Sequence, residues 1–318
     1  MFEHLLVPLD GSSLAERALH HVVAVARVFD SLVTVVRSVD QRAGEGLTEA
    51  VDPLTWQMRK AEALAYLDGV VSRLHGLGVR ADRLVLEGDP AEQVIAHVHQ
   101  HAVDLIVMAS HGQSGLSEWN INSVVQKVIQ RVYAPLLIVP AYHPAPGELG
   151  SHVYDRVAVP LDGSQRAEYV LPVAERMASY YDGLFLLIHV VARPAVPRRV
   201  PLVAEEQELV ERLVELNRVH ATRYLQDLES RLSTRSESRL LVVDNPVTAL
   251  HDLVAREGAD LVLMTAHGYS GERRWPYGSV ALSFITYGTA PLLLMQDITR
   301  EDAVETEAEK AAREVRGH

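Results

Sequence analysis

The chain has 318 residues and not one cysteine. Disulfides, thiolate nucleophiles and zinc–thiolate centres are therefore excluded. No apolar run approaches the roughly 18 residues that a membrane-spanning helix needs, and no basic-then-apolar leader precedes the first strand-like segment. A cytoplasmic protein without a membrane partner is the expectation. A basic excess is also missing: 30 Lys and Arg stand against 42 Asp and Glu, a net charge of −12. A general nucleic-acid binder needs surplus cations to displace phosphate counter-ions, so nucleic acid is not an expected partner. A local anion site made of backbone N–H groups needs no such surplus. Neither a Walker A pattern nor Gly-x-Gly-x-x-Gly occurs, which leaves P-loop and dinucleotide-binding readings little support.

What the chain does contain is a duplication. Val7-Pro8-Leu9-Asp10-Gly11-Ser12 returns as Val159-Pro160-Leu161-Asp162-Gly163-Ser164, 152 residues later. Met108-Ala109-Ser110-His111-Gly112 is answered by Met264-Thr265-Ala266-His267-Gly268, and Ala134-Pro135-Leu136-Leu137 by Ala290-Pro291-Leu292-Leu293. This period is far too long for a solenoid, and the length suits two domains that each bury a core. We read them as residues 1–142 and 152–298, joined by a Pro- and Gly-rich linker and followed by a charged tail, 299–318.

Within each copy, short apolar runs alternate with helical patterns. The first copy predicts strands near Leu5–Leu9, Leu32–Val36, Arg83–Glu87, Asp104–Ala109 and Leu136–Val139. Its helices are predicted from Ser12 or Ser13 through Phe29, then near Leu54–Leu74, after Asp89-Pro90, and over Ser123–Val132. The second copy repeats this order, from Val157–Leu161 to Leu292–Met295. Continuous apolar strands between helices indicate an α/β fold with a parallel sheet covered on both faces. The fold class is thus two doubly wound, open, parallel five-stranded sheets of Rossmann-like type, and that class implies the strand order 3-2-1-4-5 in each.

Ligands of such sheets bind beyond the carboxyl ends of the strands, where the strand order reverses. With that order, the loops after strands one and four flank one crevice. The first loop is Asp10-Gly11-Ser12, which on its own reads as a turn with a helix cap. The second runs from Ala109 to Ser123. Gly112 and Gly115 allow close backbone approach there, and Ser123 opens a helix whose free N–H groups suit an anion. Gly268 and Gly271 lead to Gly278-Ser279 in the same way. Asp10 and Asp162 are unsuited to phosphate but suited to a ribose hydroxyl or a base amine.

The Val-Pro-Leu-Asp-Gly-Ser start, the Glu87-Gly88-Asp89-Pro90 turn, the glycine loop and the Ala-Pro-Leu-Leu strand together resemble the universal stress protein family, in its tandem form. The family's phosphate loop reads Gly, two residues, Gly, nine residues, Gly, then Ser or Thr. Here the copies read Ala109, Gly112 and Asn122-Ser123, and Thr265, Gly268 and Gly278-Ser279. The resemblance implies the adenine-nucleotide alpha hydrolase-like fold, a regulatory or protective role in stress, and adenine nucleotide as partner: ATP, with or without Mg2+. By the resemblance, Asp10 and Asp162 meet the ribose or adenine, and the backbone of Val39 and Val191 meets the base. Gly112, Gly115, Asn122 and Ser123, and Gly268, Gly278 and Ser279, hold the phosphates. It also implies that the last strands pair within one chain as a pseudo-dimer, and homodimers are compatible with it. The alternative is a nucleotide-free scaffold, or a binder of another small ligand, with the same fold.

No catalytic set or metal set is legible, so turnover would be at most that of a slow ATPase. His111 and His267 read as structural loop histidines. The Gly-x-x-Gly runs beside them lack nucleophile-elbow spacing, and no acid–histidine pair is evident. His97, His99 and His101 read as a solvated helix face.

Overall fold

The computed structural model describes residues 1–40, 52–112, 123–142, 147–194, 203–268 and 277–297. They form two compact units, one within Met1–Val153 and the other within Tyr154–Glu272 and Tyr277–Asp297.

The first unit runs β1 (His4–Pro8), α1 (Ser13–Glu16), α2 (Ala18–Phe29), β2 (Leu32–Val39), α3 (Pro53–Gly76), β3 (Arg80–Glu87), α4 (Pro90–Gln100), β4 (Leu105–Ala109), α5 (Ser123–Arg131) and β5 (Leu136–Val139). The second runs β6 (Arg156–Leu161), α6 (Gln165–Glu168), α7 (Leu171–Tyr181), β7 (Leu184–Ala192), α8 (Ala204–Arg231), β8 (Ser236–Val243), α9 (Pro246–Glu257), β9 (Leu261–Thr265), α10 (Ser279–Tyr287) and β10 (Leu292–Met295). Within the units every strand pair is parallel, in the orders β3-β2-β1-β4-β5 and β8-β7-β6-β9-β10. The expected order 3-2-1-4-5 therefore holds in each.

The central strands explain the order. Leu105–Ala109 of β4 and Leu261–Thr265 of β9 are buried at every position, as are Leu5, Leu6 and Val7 of β1. Each Val, Leu, Ile or Met among them taken fully from water contributes about 1.5–3 kcal/mol, so these strands are held at the centre with helices on both faces. Below them, at the amino ends, Asp104 Oδ2 accepts from the N–H groups of Glu3 (2.8 Å) and His4 (2.9 Å). Asp260 Oδ2 does the same for Asp155 (2.6 Å) and Arg156 (3.1 Å). These carboxylates tie the start of the first strand to the fourth, and burial pushes the Asp260 carboxyl up to about 6. Two acids that had read as strand starts are therefore clamps.

The first helix of each copy is broken, where one continuous helix was expected. Arg17 N–H turns back to the Leu14 carbonyl (3.3 Å) between α1 and α2. In the second unit Pro172, near the start of α7, has no N–H to continue the ladder from α6. Both second segments stop at an aspartate in left-handed conformation, Asp30 and Asp182. β3 and β8 begin earlier than expected, at Arg80 and Ser236, because their partly exposed residues hide the apolar signal.

His20 and His21 of α2 are buried, and the His21 ring meets that of His152 edge-on at 4.3 Å. Burial first, then His152 and His20, hold the His21 imidazole well below its ordinary value. The unfolded chain therefore takes up this proton first, and the stability tied to neutral His21 is full above about pH 6.5 and lost as pH falls through it. Melting temperature is expected to drop between about pH 7.5 and about pH 5.5, with a slope of at most about 1.4 kcal/mol per pH unit from this group. His21→Leu should flatten that slope in a pH series of thermal melts; an unchanged slope would assign the effect to other groups.

Candidate functional site

Because β1 pairs with β4 and β6 with β9, the segments that follow them emerge side by side at the carboxyl edge of each sheet. The first of these segments is the same turn in both units. Gly11 and Gly163 have φ of 87° and 85°, a conformation that admits glycine and strains other residues. Asp10 Oδ1 accepts from Ser12 N–H and Asp162 Oδ1 from Ser164 N–H, each at 2.9 Å. The serine hydroxyls then cap the next helix, accepting from Ala15 and Ala167 N–H at 3.1 Å. The motif is thus a turn and cap, and it also leaves the second carboxylate oxygen of each aspartate clear of that turn bond.

In the second unit that oxygen reaches the other loop. A Cβ placed on Gly268 would lie 2.2 Å from Asp162 Oδ2, so glycine at 268 is what lets the carboxylate settle against the chain after β9. Gly278 N–H donates to the Ala266 carbonyl at 2.7 Å, which brings the start of α10 to the same place. Gly278 itself has φ −70°, and a Cβ there would meet only ordinary contacts, the nearest at 3.5 Å. Neither backbone conformation nor packing demands glycine at 278. Ser279 follows as the first residue of α10 and is exposed.

A cleft of about 370 Å³ opens beside this turn, lined by Gly163, His189, Val191, Asn217, Ala221 and Tyr224 among others. It lies between the carboxyl end of β7 and one face of α8. Val191, expected to meet a base, lines it, and so does the glycine next to Asp162. A cavity of this size is within the range of small-molecule sites, about 300–1,000 Å³.

In the first unit Asp10 is half-buried, Val39 and Gly112 are buried, and Ser123 is the exposed first residue of α5. The Val39 carbonyl already accepts from Gly88 N–H at 2.9 Å, using one of its two lone pairs. Gly115 and Asn122 lie outside the described residues, as does Gly271.

Several site residues were missed in the sequence. Tyr66 of α3 and Tyr224 of α8 occupy matching places, each with its phenol raised above its ordinary range by burial and by Glu16 or Glu168. The same glutamates pair with Arg73 (2.8 Å) and Arg231 (3.2 Å). Aligning the third helix of each copy would have exposed this set, since the tyrosine and arginine are two helical turns apart in both.

The histidines need one correction. An acid–histidine pair does exist: His267 Nδ1 lies 2.8 Å from Asp297 Oδ1, both side chains are buried, and Arg166 Nε lies 3.7 Å from the other oxygen. The partners are 30 residues apart and meet only because β9 and β10 end side by side, which no local pattern reports. The first unit has Ala141 where Asp297 stands; there His111 Nδ1 lies 2.9 Å from Ser110 Oγ instead. His97 and His101 stack at 4.0 Å, His99 and His101 are exposed, and no metal-ligating cluster occurs among the described residues.

A model of the universal stress protein family matches residues 1–140 and again 153–296. The chain belongs to the universal stress protein family. A universal stress protein of Methanocaldococcus jannaschii is 30% identical over 140 residues, covering 44% of this chain and 82% of its own length. Universal stress protein YxiE of Bacillus subtilis is 30% identical over 147 residues, covering 44% of this chain and 99% of its own. Each relative thus matches one unit's length. The crystal structure of a universal stress protein from Archaeoglobus fulgidus covers 93% of this chain and 99% of its own, with a TM-score of 0.65 at 18% identity, which speaks to the fold. No helix among the described residues of this universal stress protein is long and apolar enough to cross a membrane.

The Asp162–Gly268 contact makes a definite prediction. Gly268→Ala should displace the carboxylate and cost about 1 kcal/mol or more, as overpacking does. Asp162→Ala should remove most of that cost, so a double-mutant cycle in urea unfolding should show coupling above about 0.5 kcal/mol. Additive losses would mean that the two loops do not touch.

Proposed function

We propose that the chain binds an adenine nucleotide, ATP with or without Mg2+, at the crevice beyond the carboxyl ends of the first and fourth strands, and serves a regulatory or protective role in the stress response. The observation that carries this reading is the cleft of about 370 Å³ beside the Asp162 turn, whose carboxylate in turn rests against Gly268, close to where Gly278 bonds the chain after β9. A base would lie against Val191 and the face of α8, and the ribose hydroxyls would find the Asp162 carboxylate. The phosphates would extend toward Gly268, Gly278 and Ser279. A helix amino terminus offers unpaired N–H groups and the positive end of its dipole, and a glycine that the fold does not need leaves room for an anion to come close.

Membership of the universal stress protein family supports the same reading, as does the equivalent layout of Asp10, Val39, Gly112 and Ser123 in the first unit. Efficient phosphoryl transfer calls for a positioned base, a metal set and cationic transition-state contacts. The residues that surround this crevice serve binding better than turnover, which makes the protein a nucleotide-dependent switch or store with slow hydrolysis at most.

Protein purified without added nucleotide should release adenine nucleotide on denaturation or, if stripped, gain melting temperature with excess ATP–Mg2+. Gly278→Val should weaken that gain at least tenfold in apparent affinity while the unliganded melting temperature stays within a few degrees. No released nucleotide and no thermal shift would refute the proposal.

A further inference from the structure

The two crevices differ at one position of the second strand that the duplication would otherwise have made equivalent. In the second unit, His189 of β7 is set back from the turn: its Cε1 lies 3.9 Å from where a Cβ on Gly163 would be, and the space over Gly163 is part of the cleft. The corresponding residue of β2 is Arg37. Its guanidinium lies flat against Gly11, with Cζ, Nη1 and Nη2 all 3.2–3.3 Å from the position of a Cβ. The same guanidinium lies over the Tyr66 ring, Cζ to centroid 5.2 Å. Tyr224, the counterpart of Tyr66, instead meets the His189 ring edge-on at 5.8 Å and lines the open cleft.

We propose that Arg37 occupies the base and ribose part of the first crevice, so that the chain holds one nucleotide, in the second unit, and the first unit binds only when Arg37 is displaced. This rests on the nucleotide reading above and adds to it which site is used and what closes the other. The physical argument is competition for one surface. A ligand seated over Gly11 must lift the guanidinium off both the glycine backbone and the tyrosine face, and so must give up a cation–π contact and the packing of the arginine stem. Histidine is shorter, carries no obligatory charge, and its pKa is lowered by burial, so it remains neutral beside the cleft. The sequence difference in the motif read as the phosphate loop has the same direction, with Gly278 in the second copy where the first has Asn122.

Titration calorimetry with ATP–Mg2+ on nucleotide-stripped full-length protein tests this, using Arg37→His to copy the second unit and Asn217→Trp to fill the second cleft from the exposed face of α8. Wild type should titrate as one site, and Asn217→Trp should remove it. Arg37→His should add a second site, with affinity raised about tenfold over any residual binding there, the scale set by one cation–π contact. Arg37→His combined with Asn217→Trp should again bind once. Two equal sites in wild type, or a site that survives Asn217→Trp, would overturn the assignment while leaving nucleotide binding intact. So would an Arg37→His protein that still titrates one site. Absence of binding in wild type and Arg37→His alike would overturn the nucleotide reading itself, and this inference with it. Circular dichroism melts on each variant separate loss of fold from loss of site.

Discussion

The pairing of the first strand with the fourth governs what either unit can do. Leu5 against Leu105 and Leu6 against Ile106 in one unit, and Val157 against Leu261 in the other, set two loops from distant parts of the chain beside each other at one edge of the sheet. Buried apolar strands enforce it, because these continuous apolar runs are removed from water only at the centre of the sheet, with helices on both faces. Asp104 and Asp260 reinforce it from the far end by holding two N–H groups of the neighbouring strand. A crevice at the carboxyl edge is a consequence of that arrangement and precedes any particular ligand.

On that frame the Asp-Gly-Ser turn performs two tasks with one carboxylate. One oxygen closes the turn on the serine N–H, and the serine hydroxyl caps the helix. In the second unit the other oxygen rests against Gly268. A substitution in this turn therefore cannot be assigned to binding or to folding from its effect on activity alone. The glycines make the distinction clearer: Gly11 and Gly163 are needed by the backbone, Gly268 by packing, and Gly278 by neither.

The duplicated copies also show how a site can diverge without disturbing its fold. Arg37 and His189 stand at the same register of the second strand, point to the same turn and face equivalent tyrosines. One covers the glycine and the other leaves a cleft. Asp297 and Ala141 differ similarly, giving a buried acid–histidine pair in one unit and a serine–histidine contact in the other. Such exchanges alter charge and reach while leaving the apolar strands untouched.

The repeated motifs, the alternation of apolar runs with capped helices, and the order of the elements were all legible in the sequence, because each arises from local chemistry: a glycine that accepts positive φ, a serine that caps, a run that must be buried. The two-part architecture and the two loops that carry Asp162, Gly268 and Gly278 follow from those signals, whereas the part given to Val191 came only from the family resemblance. What the tertiary structure decided is whatever depends on residues far apart in the chain. The Asp260 clamp, the His267–Asp297 pair and the cover that Arg37 places on Gly11 come from contacts between segments separated by tens of residues or more. Their geometry exists only after the strands have paired, so no periodicity or spacing in the sequence could carry it.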